Sequence, residues 1–197
     1  DTFVEVIGPP SAIGFNIHPQ GRDIDVSFKV IRNGVPTDSP VLTLNLLTLS
    51  HLPGATIDSI GESAILEIPK LDDLDQTRVA PWPYIEINQR MWLRNEGTLD
   101  TDAAYLEETY VGREVSVADV NNGPAPFTPV SRLRRLKEWT PFTIGFGVTF
   151  NHTNNPADIV WFETRHHMVQ TQPNEFPRPE IKYSTPPSGP EVVISPI

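Results

Sequence analysis

The chain has 197 residues, a net charge of −10, 21 prolines and no cysteine. The acidic balance argues against nucleic acid, because phosphate binding needs clustered Lys and Arg. The missing cysteines exclude disulfides, thiolate catalysis and Cys-ligated zinc. Proline removes ladder donors and breaks helices, so its density here suits short strands joined by fixed loops. No stretch approaches the roughly 18 apolar residues of a membrane span, and no direct membrane insertion is expected.

In chain order, residues 2–7 read as a strand, with Val4 and Val6 on one face and Phe3, Glu5 and Ile7 on the other. Gly8-Pro9-Pro10 ends it. These opening residues do not read as a signal peptide. Asp1 stands so close to a strand that a piece of a longer chain is expected. Ser11 to Ile17 is a short apolar connection, and His18-Pro19-Gln20-Gly21 is a turn. Ile24, Val26, Phe28 and Val30 then alternate with Asp25, Ser27 and Lys29, which predicts a strand. Asn33-Gly34 marks a hairpin. Val35 to Pro40 is expected as a longer loop before a second strand from Val41 to Leu49.

The same pattern returns 118 positions later. Phe142, Ile144, Phe146 and Val148 alternate with Thr143, Gly145, Gly147 and Thr149. A turn at Asn151-His152 follows, then Val160-x-Phe162 in the place of Leu42-x-Leu44. A repeat this long implies tandem β-modules. Leu52-Pro53 and Phe176-Pro177 look like module starts, ahead of Ile57 and Ile181. The chain is therefore divided near residues 50 and 172. Residues 1–49 are the C-terminal part of one module and residues 50–171 a complete one. Residues 172–197 are a linker and the start of the next.

Within the middle module, Ala64 to Ile68, Tyr84 to Ile87, Met91 to Arg94, Tyr105 to Tyr110 and Arg113 to Val120 read as strands. Glu96-Gly97-Thr98 is expected to turn the chain. Ser131 to Trp139 is the one expected helix, with Leu133 and Leu136 on one face. Its counterpart is Ser11 to Ile17, and a short helical crossover between two sheets explains both. Trp92, Trp139 and Trp161 are expected in or beside the core. Some seven short strands with frequent turns predict an all-β fold of immunoglobulin-like β-sandwich modules in tandem. The Cys-Trp-Cys signature of a true immunoglobulin domain is absent.

Four segments carry a family resemblance: Ala80-Pro81-Trp82-Pro83-Tyr84-Ile85, Gln89 to Thr98, the Pro129 to Lys137 crossover and the Phe142 to Val148 strand. Together they resemble the repeated Ig-like domains of very large secreted or surface proteins of Pseudomonas and related bacteria. The resemblance spans nearly the whole chain, and its motifs are structural. It implies a row of β-sandwiches projecting from the cell, as in adhesins, with an extracellular or cell-surface location. It maps no binding residue onto this sequence.

Candidate sites are few. Asp72, Asp73 and Asp75 share one loop and could hold calcium, which takes six to eight oxygen ligands; the alternative is solvated loop charge. Asp100 and Asp102 form a second acidic pair. Trp82, held between Pro81 and Pro83 with Tyr84 beyond, could present rigid aromatics to a sugar or a partner; the alternative is a plug in the sandwich. His166 and His167 are strand neighbours pointing to opposite faces, so they cannot share a metal. An edge strand would explain them as guards against further pairing. Arg132, Arg134, Arg135 and Lys137 read as one solvated face. Asn151-His152-Thr153 is a sequon without an evident role.

No catalytic residue emerges: Gly-x-Ser-x-Gly, phosphate-loop and dinucleotide fingerprints are all missing. The expectation is a non-enzymatic structural and adhesive module, a spacer or stalk repeat without a cofactor other than the candidate calcium. Its partners would be neighbouring modules of the same chain. A carbohydrate- or host-protein-binding module is the alternative, and an accessory domain of a secreted enzyme or toxin a further one. A half sandwich exposes strand edges and apolar faces. Residues 1–49 are thus expected to need a partner strand, which Glu191-Val192-Val193-Ile194 could supply from the same or another chain.

Overall fold

A computed structural model describes residues 10–172. The strand expected at residues 2–7 and everything from residue 173 onward, including Phe176-Pro177 and Glu191 to Ile194, lie outside the described residues. Strands make up 41% of the structure and helices 13%, in keeping with an all-β class. Among the described residues no helix is long and apolar enough to cross a membrane.

The first alternating run builds an arm. Helix α1 (Pro10–Phe15) leads into β1 (Arg22–Val26), β2 (Lys29–Arg32), β3 (Val35–Asp38) and β4 (Leu42–Leu46). The single strand expected from Ile24 to Val30 is two. Ser39 causes the break: its Oγ accepts the Phe28 amide at 2.9 Å, and its own amide donates to the Phe28 carbonyl at 2.8 Å. Strand β1 pairs with β4 and β2 with β3, both antiparallel. The loop expected at Val35 to Pro40 is instead mostly strand. Asn33 and Gly34 have φ of 50° and 79°, the two positive values of a two-residue type I′ turn, whose twist matches the flanking strands. On one face of β1 and β4, Thr43 and Asn45 donate to Asp25 and Asp23, each at 2.7 Å. The other face carries Ile24, Val26, Leu42 and Leu44. Every position of β2 and β3 is exposed.

Residues 52–170 form the body. Its strands are β5 (Thr56–Ile57), β6 (Ile65–Glu67), β7 (Thr77–Arg78), β8 (Arg90–Thr98), β9 (Ala104–Glu114), β10 (Pro141–Thr149), β11 (Val160–Trp161) and β12 (Arg165–Gln170). Helices α2 (Val117–Asn122) and α3 (Val130–Leu133) lie between β9 and β10. The main sheet runs β6-β12-β10-β8-β9, with β11 also paired to β10. The β6–β12 pair is parallel and the other pairs are antiparallel. Strands β11 and β12 follow one another along the same side of β10, from Val148↔Val160 to Pro141↔Met168. The hairpin made with β10 is thus interrupted between Trp161 and Arg165, as the arm's hairpin is interrupted at Ser39.

Alternation places Phe142, Ile144, Phe146 and Val148 on the inner face of β10, all fully buried with Met91 and Leu93. Ile57, Leu66, Val79, Trp82, Leu133 and Leu136 complete the same cluster. Among the described residues, Ile17 is its sole member from before Leu52. The facing layer is slight. The β5–β7 ribbon is extended by Pro124 to Thr128, through Thr77 N to Pro126 O at 2.9 Å and Val79 N to Pro124 O at 3.1 Å. Pro124, Pro126 and Pro129 lack amide donors, which keeps this layer from forming a full ladder.

Several boundaries differ from expectation. Tyr84 to Ile87 is not a strand: the Ile85 amide closes a turn onto Trp82 O, and Tyr84 has φ 62°. Glu96 to Thr98 stays within β8, and the chain turns at Leu99 to Ala103. Tyr105 to Glu114 is one strand, with register shifts that leave Thr109 and Gly112 without partners. Gly112 has φ 67°, and a Cβ there would lie 1.9 Å from Asn154 Oδ1. Beyond Glu114 the chain is helical, because Ser116 and Asp119 form a reciprocal capping box. The helix expected from Ser131 to Trp139 is confined to Val130–Leu133, and the short connection expected from Ser11 to Ile17 is helical over Pro10–Phe15.

The tryptophans separate. Trp92 is buried, but Trp161 is 41% exposed on the outer face and Trp139 is 60% exposed. Gly145 and Gly147 make room for Trp161: a Cβ on Gly147 would stand 2.5 Å from Ile159 Cγ2 and 2.9 Å from Trp161 Cε3. The Arg94 guanidinium lies over that indole, 4.4 Å from the ring centre. Strand β12 lies between β10 and β6, but β6 pairs only with Met168 to Gln170, while His166 and His167 pair with β10 alone.

Candidate interaction surface

Trp82 does not present its indole to solvent. It is 3% exposed and packs against Phe146 at 5.5 Å and Phe162 at 5.3 Å, while those two rings meet edge to face at 4.9 Å. Its Nε1 donates to Gln89 Oε1 at 3.3 Å, and Gln89 Nε2 donates to the Tyr84 carbonyl at 2.8 Å. The prolines therefore steer Trp82 inward as a plug, the alternative weighed from its sequence. Tyr84 is half exposed and lies beside α1, where a Cβ on Gly14 would be 3.1 Å from Tyr84 Cβ. The structure thus separates the two aromatics, one into the core and one into the junction between arm and body.

That junction escaped the sequence reading. Phe15 meets His152 edge-on with ring centres 5.7 Å apart. His18 Nε2 is 3.7 Å from Asp158 Oδ1, and His152 Nε2 is 3.9 Å from Glu86 Oε2. Asp158 also accepts from Asn151 Nδ2 at 3.0 Å and Thr153 Oγ1 at 2.8 Å. These hydrogen bonds, with smaller help from the His18 charge, hold its carboxyl below the usual range. The sequon asparagine is therefore engaged in its own loop.

The acidic loop is likewise committed to structure. Asp75 is buried and accepts from Ser59 Oγ at 2.6 Å and the Asp72 amide at 3.0 Å. Asp72 accepts from the Leu74 amide at 2.8 Å, and Asp73 reaches Arg134 at 3.0 Å. Each of the three carboxylates thus has a partner of its own. Among the described residues no group of three His, Cys, Asp or Glu side chains is placed to hold a metal ion. The basic run is tied down as well, Arg132 to Glu107 and Lys137 to Asp102.

His166 and His167 diverge as alternation requires, the first exposed and the second 5% exposed. His167 Nδ1 donates to the Ser63 carbonyl at 2.7 Å, which leaves its buried Nε2 without a partner. Burial pushes this imidazole down, aided by the charges of Arg165 and His166 and opposed by the Ser63 bond.

The remaining surface of note is the arm. Phe28, Ile31, Val35, Leu42, Leu44 and Leu47 are between 41% and 79% exposed. A groove of 840 Å³ lies between α1 and the apolar face of β1 and β4, lined by Ala12, Ile13, Ile24, Val26, Leu42 and Leu44 among others. Among the described residues no strand pairs with the outer edge of β4. Contiguous exposed apolar surface of this kind marks contact sites. No family model, curated protein or solved structure matches the chain.

Proposed function

We propose that the chain is a non-enzymatic structural and adhesive module, a spacer or stalk repeat of a large bacterial surface or secreted protein. Its units would be immunoglobulin-like sandwiches in tandem, divided near residues 50 and 172. The observation that supports this reading is a likeness between arm and body. In each, a short helix precedes an interrupted hairpin: in the arm both sides break, β1 and β2 against β4 and β3, and in the body the returning side breaks into β11 and β12 while β10 runs through. The sheet order supports the same reading, since a central run of β12-β10-β8-β9 corresponds to the GFCC′ arrangement of variable-type immunoglobulin sheets.

In this reading each body buries its own core, and the contacts between units set the reach of the row. Small-angle scattering from one, two and three tandem copies tests it. Maximum dimension should grow in proportion to copy number; a collapsed particle of constant shape would overturn the spacer role. Residues 50–172 produced alone should melt cooperatively close to the full chain's main transition.

A second reading, recognition of a carbohydrate or host protein, moves from Trp82 to Trp139. This indole is 60% exposed on a backbone of φ 54°, an outlier for a bulky residue. A glycan array hit lost in Trp139→Ala, at unchanged stability, would favour it over the spacer.

A further inference from the structure

We propose that the groove between α1 and the β1–β4 hairpin is the seat of residues 2–7 of the same chain. Chemistry, reach and an internal template all point to this occupant.

The groove offers aliphatic carbons from both of its walls: Ala12 and Ile13 on α1, and Ile24, Val26, Leu42 and Leu44 on the strands. The segment Thr2-Phe3-Val4-Glu5-Val6-Ile7 brings four large apolar side chains and one charge. Val4 and Val6 share one face by strand alternation and provide the uncharged side to lay against the hairpin. Burying apolar surface is favourable by about 25 cal/mol per Å², and here the groove and the segment both have such surface to lose.

Reach is assured by the covalent link. Ile7 joins α1 through Gly8 and Pro9, and α1 itself forms one wall of the groove. Six extended residues span about 20 Å at 3.3 Å each, enough to run the length of the five-residue β1. A ligand tethered this closely sees an effective concentration in the millimolar range.

The template is the body, and this leg rests on the repeat proposed above. Pro124 to Thr128, which the 118-residue offset sets against residues 6–10, lies just ahead of α3 and is hydrogen-bonded to the β5–β7 ribbon through Thr77 and Val79; residues 2–7 lie just ahead of α1 in the same order along the chain. Ile57 and Val79 of that ribbon's layer join Phe142, Ile144, Phe146 and Val148 of β10 in one buried cluster. Residues 2–7 would cover the apolar face of β1 and β4 in the same sense.

The test uses the full chain carrying Phe28→Trp as a reporter at the groove, with and without V4D/V6D. Seating predicts a blue-shifted, weakly quenched emission in the parent. In V4D/V6D it predicts a red shift, stronger acrylamide quenching, faster amide exchange in β1 and β4, and a severalfold rise in binding of a hydrophobic dye. A peptide of residues 1–9 added to V4D/V6D should reverse these changes, and the same peptide with both aspartates should not. The body's melting transition is the control for folding, since its core draws on none of these residues.

Identical behaviour of parent and V4D/V6D would overturn the proposal. So would exposure produced by deleting residues 173–197 instead, which would make that segment the occupant. Protection that vanishes on dilution would make the occupant a second copy. The repeat reading fails separately, if residues 50–172 do not fold alone.

Discussion

His18 stands 3.7 Å from Asp158 across the junction of arm and body. Asp158 is held ionised mainly by Asn151 and Thr153, and its folded pKa lies below the ordinary 3.8. A depressed carboxylate contributes stability above its unfolded value and loses it as pH falls through the folded one. Stability should therefore decline as pH drops below about 4, and Asp158→Asn should flatten that part of the profile. Melting curves between pH 5 and about 2 measure it; an unchanged acid limb in the variant would remove Asp158 from the account.

Trp82→Ala should cost about 3–5 kcal/mol, the range for emptying a large aromatic site in a core. The loss of the ring contacts with Phe146 and Phe162 is the cause. Urea titration followed by far-ultraviolet circular dichroism checks the value. A fully stable variant would contradict the plug and return Trp82 to the surface.

The two glycines of β10 should answer differently to alanine. At Gly147 the new methyl meets Ile159 and Trp161 inside contact distance, whereas at Gly145 the nearest atom is Arg94 Cγ at 3.5 Å. Overpacking at Gly147 should cost about 1–3 kcal/mol and shift Trp161 emission. Gly145→Ala should be neutral or stabilising by about 0.5 kcal/mol, because glycine is the costlier residue in a strand. Equal effects at both positions would refute the packing of Trp161 on Gly147.

His167 gives the chain a second pH dependence. Its folded pKa is lowered from 6.5, so the unfolded state takes up the proton first. Stability is complete above the unfolded value and falls as pH drops below about 6.5 towards the folded one. Differential scanning calorimetry between pH 8 and about 5 should show the loss in the parent. Under the same conditions His167→Gln should lack it.

Tyr105 acts at the other extreme. Its hydroxyl is buried without a partner, and burial, aided by Glu107, pushes its pKa up to about 12. A raised tyrosine contributes stability that is whole below pH 10 and is lost as pH rises through the folded value. Tyr105→Phe should be as stable as the parent or better near neutrality, since no hydrogen bond is lost. It should also resist alkali better. Spectrophotometric titration of the phenol gives the direct reading.

The strands of period two were legible because apolar alternation is a local signal. Phe142 to Val148 declares itself in this way, while Ile65 to Glu67 and Met91 to Arg94 show as short apolar runs. The helix at Val117 to Asn122 was hidden behind apolar residues that suit a strand, although Ser116 and Asp119 carry the capping pattern that defines it. The split of the first strand was not local at all, since it depends on Ser39 reaching back eleven residues to Phe28. Trp82 could be read either way, because flanking prolines fix the backbone without saying which side the indole takes. The junction of Phe15, His18, His152 and Asp158 joins residues more than a hundred positions apart, each unremarkable in its own surroundings.

The parallel pairing of β6 with β12 has a mechanical meaning. These strands lie near the beginning and end of the body, side by side and pointing the same way, with Ile65, Leu66 and Glu67 opposite Met168, Val169 and Gln170. Tension along the chain would draw β6 backward and β12 forward. Once the residues ahead of β6 are pulled straight, the load falls on all three positions together, in shear. Bonds loaded in parallel must break at once, whereas those of a hairpin pulled open at its end yield singly. The short ladder is thus a latch against stretching, placed where force applied through the two ends of the body would arrive.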